Sequence, residues 1–250
     1  MIPSEPLPPE IAVPPPPPAP APSEAYWDYQ DLAVFLCLSV FSLFVALLSV
    51  FYIPFLHALP LPYKLVIGQL IWYVLVFSSL AAILRLRYDG AFWSSLGWRP
   101  TPAGAAVVSF LTGPLLAIAV GIAGAALRTP QIKLPFEDML KGPALLILFA
   151  LLVVIIGPLC EELAFRGFMM PLLIRSLGAP AGIIITGILF GALHGFEYPD
   201  WRPVVLVAAA GCVFGWRRYE TRSTVNSALM HAGFNLVQFI GLVAMQRATK

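Results

Sequence analysis

The chain alternates long uncharged stretches with short polar ones. No fixed charge stands between Leu32 and Tyr63, and Leu32 to about Leu56 is long enough to cross a bilayer, which takes ~20 apolar residues. Pro60 and Pro62 mark a turn, and Leu65 to Leu84 forms a second apolar stretch flanked by Lys64 and Arg85. Residues 103–127 form a third, rich in Gly and Ala, whose small side chains let helix backbones approach closely. A polar loop at 128–141 leads to a fourth run, which starts at Gly142 and ends in Cys160-Glu161-Glu162. Ser176 to Phe196, a shorter run from Pro203 to Trp216, and Ser223 to Gln246 complete the pattern. It predicts an all-α, polytopic transmembrane helical bundle of about seven to eight helices, the eighth arising if 161–176 forms an element of its own. Residues 1–28 are Pro-rich, with Pro14 to Pro18 in a row, and predict a disordered tail before a membrane-embedded domain at 29–250.

Composition agrees. Hydrophobic residues make up 59% of the 250 and charged residues 11%, against roughly 25% charged in a soluble domain. Mean hydropathy is +0.85. A net charge of +2 gives no argument for nucleic acid as a partner, and the lipid bilayer is the partner expected. Cys37, Cys160 and Cys212 lie in apolar runs without C-x-x-C spacing and read as small buried hydrophobes. Seven spans would group the loops bearing Arg85, Arg87, Arg99, Arg175, Arg217, Arg218 and Arg222 on one side. The positive-inside rule favours that side, with the N-terminus, as cytoplasmic. The chain thus reads as a multi-pass integral membrane protein, of the plasma membrane if bacterial.

Against this background the ionisable residues at depth stand out, because burying them in a membrane is costly and points to function. Glu161, Glu162 and Arg166 end the fourth run, His194 lies near the end of the next, and His231 and Asn235 lie in the last. Glu162 precedes the Gly178-Ala179-Pro180 turn by 16 residues and His194 follows Gly178 by 16, so a helical hairpin sets them at similar depth. This requires the fourth helix to continue through Gly157-Pro158 as a kink. Glu162 and Arg166 are i, i+4 and suit an ion pair, while Glu161 points about 100° away and is left for other work. His231 and Asn235 share a helix face. A buried carboxylate with two imidazoles can activate water, either with a metal or by general base catalysis. A clamp between helices and a proton relay in a small transporter use the same residue types.

The three motifs Glu161-Glu162-Leu163-Ala164-Phe165-Arg166, Phe190-Gly191-Ala192-Leu193-His194 and His231-Ala232-Gly233-Phe234-Asn235 resemble the signature of the CPBP intramembrane proteases. That family includes the CAAX prenyl endopeptidase and bacterial relatives, some tied to bacteriocin immunity. Leu96-Gly97-Trp98 is similar to a further family feature. The resemblance implies an intramembrane endopeptidase with its motif core at 142–246. Its substrates would be membrane-associated proteins or peptides, prenylated CAAX-type proteins among them. Glu161 would act as general base, helped by His194. His231 and Asn235 would stabilise the oxyanion or help bind a metal, and Glu162 with Arg166 would hold the geometry. The family has been described both as metalloproteases and as metal-independent glutamate proteases. Glu161, His194 and His231 could make a three-ligand zinc site with an open position. A non-proteolytic membrane scaffold or bacteriocin-immunity protein is the competing reading.

Overall fold

The apolar runs become seven long helices in the computed structural model, which describes residues 25–130, 142–195 and 200–248. They are α1 (Tyr29–Tyr52), α3 (Leu61–Tyr88), α5 (Ala103–Ala126), α6 (Pro143–Leu177), α7 (Ala179–His194), α8 (Trp201–Thr221) and α9 (Thr224–Ala248). Two single turns, α2 (Pro54–His57) and α4 (Phe92–Ser95), lie in connections, and no strand occurs among the described residues. Five helices are long and apolar enough to cross a membrane: α1, α3, α5, α6 and α9. The apolar helix α7 is shorter, at 16 residues. The run read as Pro203–Trp216 extends into a helix of 21 residues, because its flanking Arg217 and Arg218 fold onto the protein.

Helix α6 is continuous, so 161–176 is not a separate element. The chain accommodates Pro158 by widening rather than breaking: Leu152–Ile156 forms a π-helical turn, in which the Gly157 N–H donates to Leu152 O five residues back. A second wide stretch covers Leu163–Met169 and carries Arg166. The Glu pair therefore sits between two π segments, a feature found mostly at functional sites. Gly178, at φ +81°, makes the turn into α7, a conformation that favours glycine.

Packing is by pairs: α5 on α9, α7 on α8, α1 on α3, and the end of α6 on α7. The α5–α9 contact brings backbones together, since a Cβ on Gly113 would stand 2.1 Å from Met230 O and one on Gly233 2.3 Å from Phe110 O. An alanine at either position forces the two helices apart. Large apolar side chains on the outer faces of α1, α5 and α7, such as Phe41, Phe44, Leu115, Ile122 and Ile188, are exposed, as a lipid-facing surface requires. Cys37 lies on such a face and is exposed, unlike the buried Cys160, so it is not the buried hydrophobe its setting in the sequence suggested.

The Pro-rich tail falls outside the described residues up to position 24, but its expected end at 28 is too late. Ala25 and Trp27 are fully buried. The Trp27 indole stacks on Phe168 at 5.1 Å and donates to Phe168 O, and Arg175 forks to the carbonyls of Ala25 and Trp27 at 2.7 Å each. Asp28 then caps α1, accepting from the N–H groups of Gln30 and Asp31. The Asp31 N–H is the chief reason that the Asp28 carboxyl lies below the usual range. Asp31 is buried, pairs with Arg87 and accepts from the Tyr88 hydroxyl, so α1 begins earlier than Leu32. At the start of α8, hydrogen bonds from Arg202 bring the Asp200 cap down to about 2.

The loops grouped on one side in the sequence do meet at one end of the bundle. Tyr26 bonds Ser95, and Thr224 ties to the Leu96-Gly97 segment through Thr224 N to Gly97 O at 2.9 Å and Thr224 Oγ1 to Leu96 O at 2.6 Å. The loop read at 128–141 lies mostly outside the described residues.

Candidate active site

Four helices meet around an aromatic cluster of Phe165 (α6), Phe190 (α7), Phe214 (α8) and Phe234 (α9). Arg166 is fully buried within it. Its guanidinium lies 4.5 Å from the Phe190 ring centre, with Phe214 at 5.6 Å and Phe165 at 5.8 Å. Two directed bonds fix it: Nη1 to Glu162 Oε1 at 2.8 Å and Nη2 to Gly211 O at 2.7 Å. Gly211 permits this approach, because a Cβ there would lie 3.0 Å from the Phe190 ring and 3.2 Å from Arg166 Nη2. The expected Glu162–Arg166 pair forms, and both side chains are fully buried.

His231 links the two carboxylates. Its Nδ1 is 3.1 Å from Glu162 Oε1 and its Nε2 is 3.8 Å from Glu161 Oε2. Glu162, paired with Arg166, offers only acceptors, so Nδ1 carries the proton of that bond, and in the neutral ring Nε2 turns a lone pair toward Glu161. The ring is stacked on Phe214 at 4.5 Å and 20° and meets the edge of Phe190 at 5.6 Å. Glu162 and His231 are buried, while the Glu161 side chain keeps 24% of its surface exposed. The pair thus divides as the helix geometry requires: Glu162 inward to the cation, Glu161 toward an accessible face.

His194 reaches the same cluster from α7, its ring 4.6 Å from Phe190. Phe190 therefore touches Arg166, His231 and His194 together. The His194 Nδ1 lies 2.8 Å from Phe190 O. A carbonyl only accepts, so Nδ1 is protonated and Nε2 is left as acceptor.

Residues 143–237, which hold all of these groups, match the family model described as type II CAAX prenyl endopeptidase Rce1-like. The likeness is to this segment of the chain. No curated protein and no solved structure matches the chain. With five helices among the described residues fit to span a bilayer, the protein is an integral membrane protein.

Within this segment Asn235 is engaged in packing. Its Nδ2 donates to Val153 O at 2.8 Å. That carbonyl is the one Pro158 would have served in the π register had it an N–H, so Asn235 of α9 supplies the donor that proline lacks. Replacing Asn235 with alanine should lower stability by about 1–3 kcal/mol through the orphaned carbonyl. Denaturant unfolding in detergent measures this, and an unchanged midpoint would show that the bond contributes nothing.

The three donors read as a zinc site do not gather. Glu161 and His231 approach each other, but among the described residues no three His, Cys, Asp or Glu side chains are placed to hold one metal ion. Sequence reasoning also missed Gly211 and Phe214, which carry no chemistry of their own. Their only signal was the small-residue run Ala208-Ala209-Ala210-Gly211, which marks close helix packing.

Proposed function

We propose that the protein is an intramembrane endopeptidase that hydrolyses peptide bonds of membrane-associated proteins, prenylated CAAX-type chains being the first substrate class to test. The observation that carries the reading is the His231 imidazole set between two unlike carboxylates, one neutralised by buried Arg166 and one partly exposed. Glu161 takes a proton from water as the water oxygen bonds to the scissile carbonyl carbon and the carbonyl π pair moves onto oxygen. Collapse of that oxyanion breaks the C–N bond, and the leaving amine takes the proton from Glu161. His231, held by Glu162, keeps a fixed orientation beside Glu161, and when its Nε2 also takes up a proton it presents an N–H to the developing oxyanion. His194 Nε2 supplies a second acceptor on the same aromatic wall. No step runs through a metal, since the donor set for one is not assembled.

The test is cleavage of a prenylated peptide and of a membrane proteome by the purified protein beside Glu161→Gln, with and without a strong chelator. Loss of the general base should slow cleavage by roughly 10²–10⁴-fold while the variant folds as the parent does. Chelator should leave the parent's rate unchanged. Equal cleavage by the parent and Glu161→Gln would sink the assignment, and chelator-sensitive cleavage would restore the metal.

A further inference from the structure

The two oxygens of the Glu162 carboxylate are unequally served. Oε1 accepts from Arg166 Nη1 at 2.8 Å and from His231 Nδ1 at 3.1 Å. Oε2 is buried and takes no hydrogen bond among the described residues. An ionised carboxylate offers about four acceptor positions, and leaving a buried oxygen of one wholly unfilled is costly. A bare Oε2 also leaves the carboxylate free to turn about its last side-chain bond, and with it the oxygen on which both Arg166 and His231 depend.

Helix α9 brings a donor to this spot. Ser227 lies four residues before His231, so the two share a face of α9. Ser227 is fully buried, and its hydroxyl stands within bonding reach of the Glu162 carboxylate. In the structure the hydroxyl gives its proton to Thr224 O at 3.1 Å, three residues back on the same helix. A helix carbonyl is ordinarily served by the N–H four residues on, so Thr224 O does not depend on the hydroxyl. A hydroxyl hydrogen rotates to suit, and a charged oxygen without a donor is the stronger acceptor.

We propose that Ser227 is a positioning residue that turns its hydroxyl proton from Thr224 O to Glu162 Oε2. The inference rests on the protease reading and assigns that reaction a further group. Arg166 of α6 then holds one oxygen of the carboxylate and Ser227 of α9 the other, so its plane is fixed at both ends. A fixed plane keeps Oε1 on the His231 Nδ1–H, which keeps the Nε2 lone pair toward Glu161. Ser227 touches no reacting atom; it acts through Glu162 on the imidazole. The chain of contacts leaves α9 at Ser227, crosses to α6 at Glu162 and returns to α9 at His231, so one helix carries both the imidazole and the group that orders its partner.

The experiment compares the parent, Ser227→Ala and Ser227→Cys in two readouts. One is kcat and KM on a prenylated peptide, with thermal unfolding measured beside it. The other is the pair of ring ¹⁵N signals of His231, assigned by their loss in His231→Phe. Ser227→Ala is expected to lower kcat by about 10-fold with KM unchanged. Its two ¹⁵N signals are expected to draw together, as the ring proton is shared between Nδ1 and Nε2 once the carboxylate can turn. Ser227→Cys keeps the side chain's shape and a weak donor, and is expected to fall between the parent and Ser227→Ala in both readouts. Parent-like ¹⁵N signals in Ser227→Ala, or a lower unfolding midpoint with the parent's kcat, would overturn the proposal and leave Ser227 a packing residue. If the parent itself cleaves nothing, the protease reading fails separately, and the ¹⁵N signals decide: drawn together in Ser227→Ala, the bond to Glu162 stands; unmoved, it falls.

Discussion

Replacing Arg166 with leucine is expected to destabilise the protein by about 3–5 kcal/mol, read from denaturant unfolding in detergent. The side chain is fully buried, and it bonds Glu162 Oε1 at 2.8 Å and the Gly211 carbonyl at 2.7 Å while three phenylalanine rings border its charge. Leucine fills much of the volume but leaves a buried carboxylate without its cation. The cost comes from that orphan rather than from the lost attraction, because forming a buried pair already spends most of its Coulomb energy on desolvation. It follows that the double variant Glu162→Met/Arg166→Leu should regain most of the stability while cleavage stays lost. A single variant that unfolds within about 1 kcal/mol of the parent would show that Arg166 does not hold α6 to α8.

The second large effect is expected at His231. Phenylalanine there preserves the stack on Phe214, at 4.5 Å, and removes both ring nitrogens. Cleavage should fall by roughly 10²–10⁴-fold. Stability should fall by only about 1–3 kcal/mol, since one hydrogen bond to a charged acceptor is lost and the carboxylate retains Arg166. That split separates an imidazole that takes part in the chemistry from one that wedges helices apart. Cleavage within a few-fold of the parent would assign His231 to packing and turn attention to His194, whose ring also lies against Phe190.

Some of this site could be read without a structure because the features involved are local. The Glu162–Arg166 pair follows from a single helical turn, which the wide stretch at Leu163–Met169 loosens but does not break. Counting along a hairpin about Gly178 sets Glu162 and His194 at similar depth, and Phe190 is the side chain that touches both Arg166 and His194. Other features depend on how helices rotate against each other, which side-chain periodicity does not encode. The apolar run puts His231 in the last helix, but nothing in the spacing sets it against the Glu pair. The π turns on either side of the Glu pair shift the register of α6, and the backbone contacts at Gly113 and Gly233 set α9 against α5, where His231 falls between both carboxylates.

The sequence by itself determined a polytopic helical bundle, the six polar residues at depth and the pairing of two of them, because apolar length and 3.6-residue spacing are properties of one segment at a time. Only the tertiary structure decided that Asn235 answers the carbonyl Pro158 leaves free and that Trp27 belongs to the bundle rather than to the tail. It also decided that Gly211 offers its carbonyl to Arg166. Each of these joins groups far apart in the chain through a backbone oxygen or an absent side chain, and neither leaves a mark in the pattern of residue types.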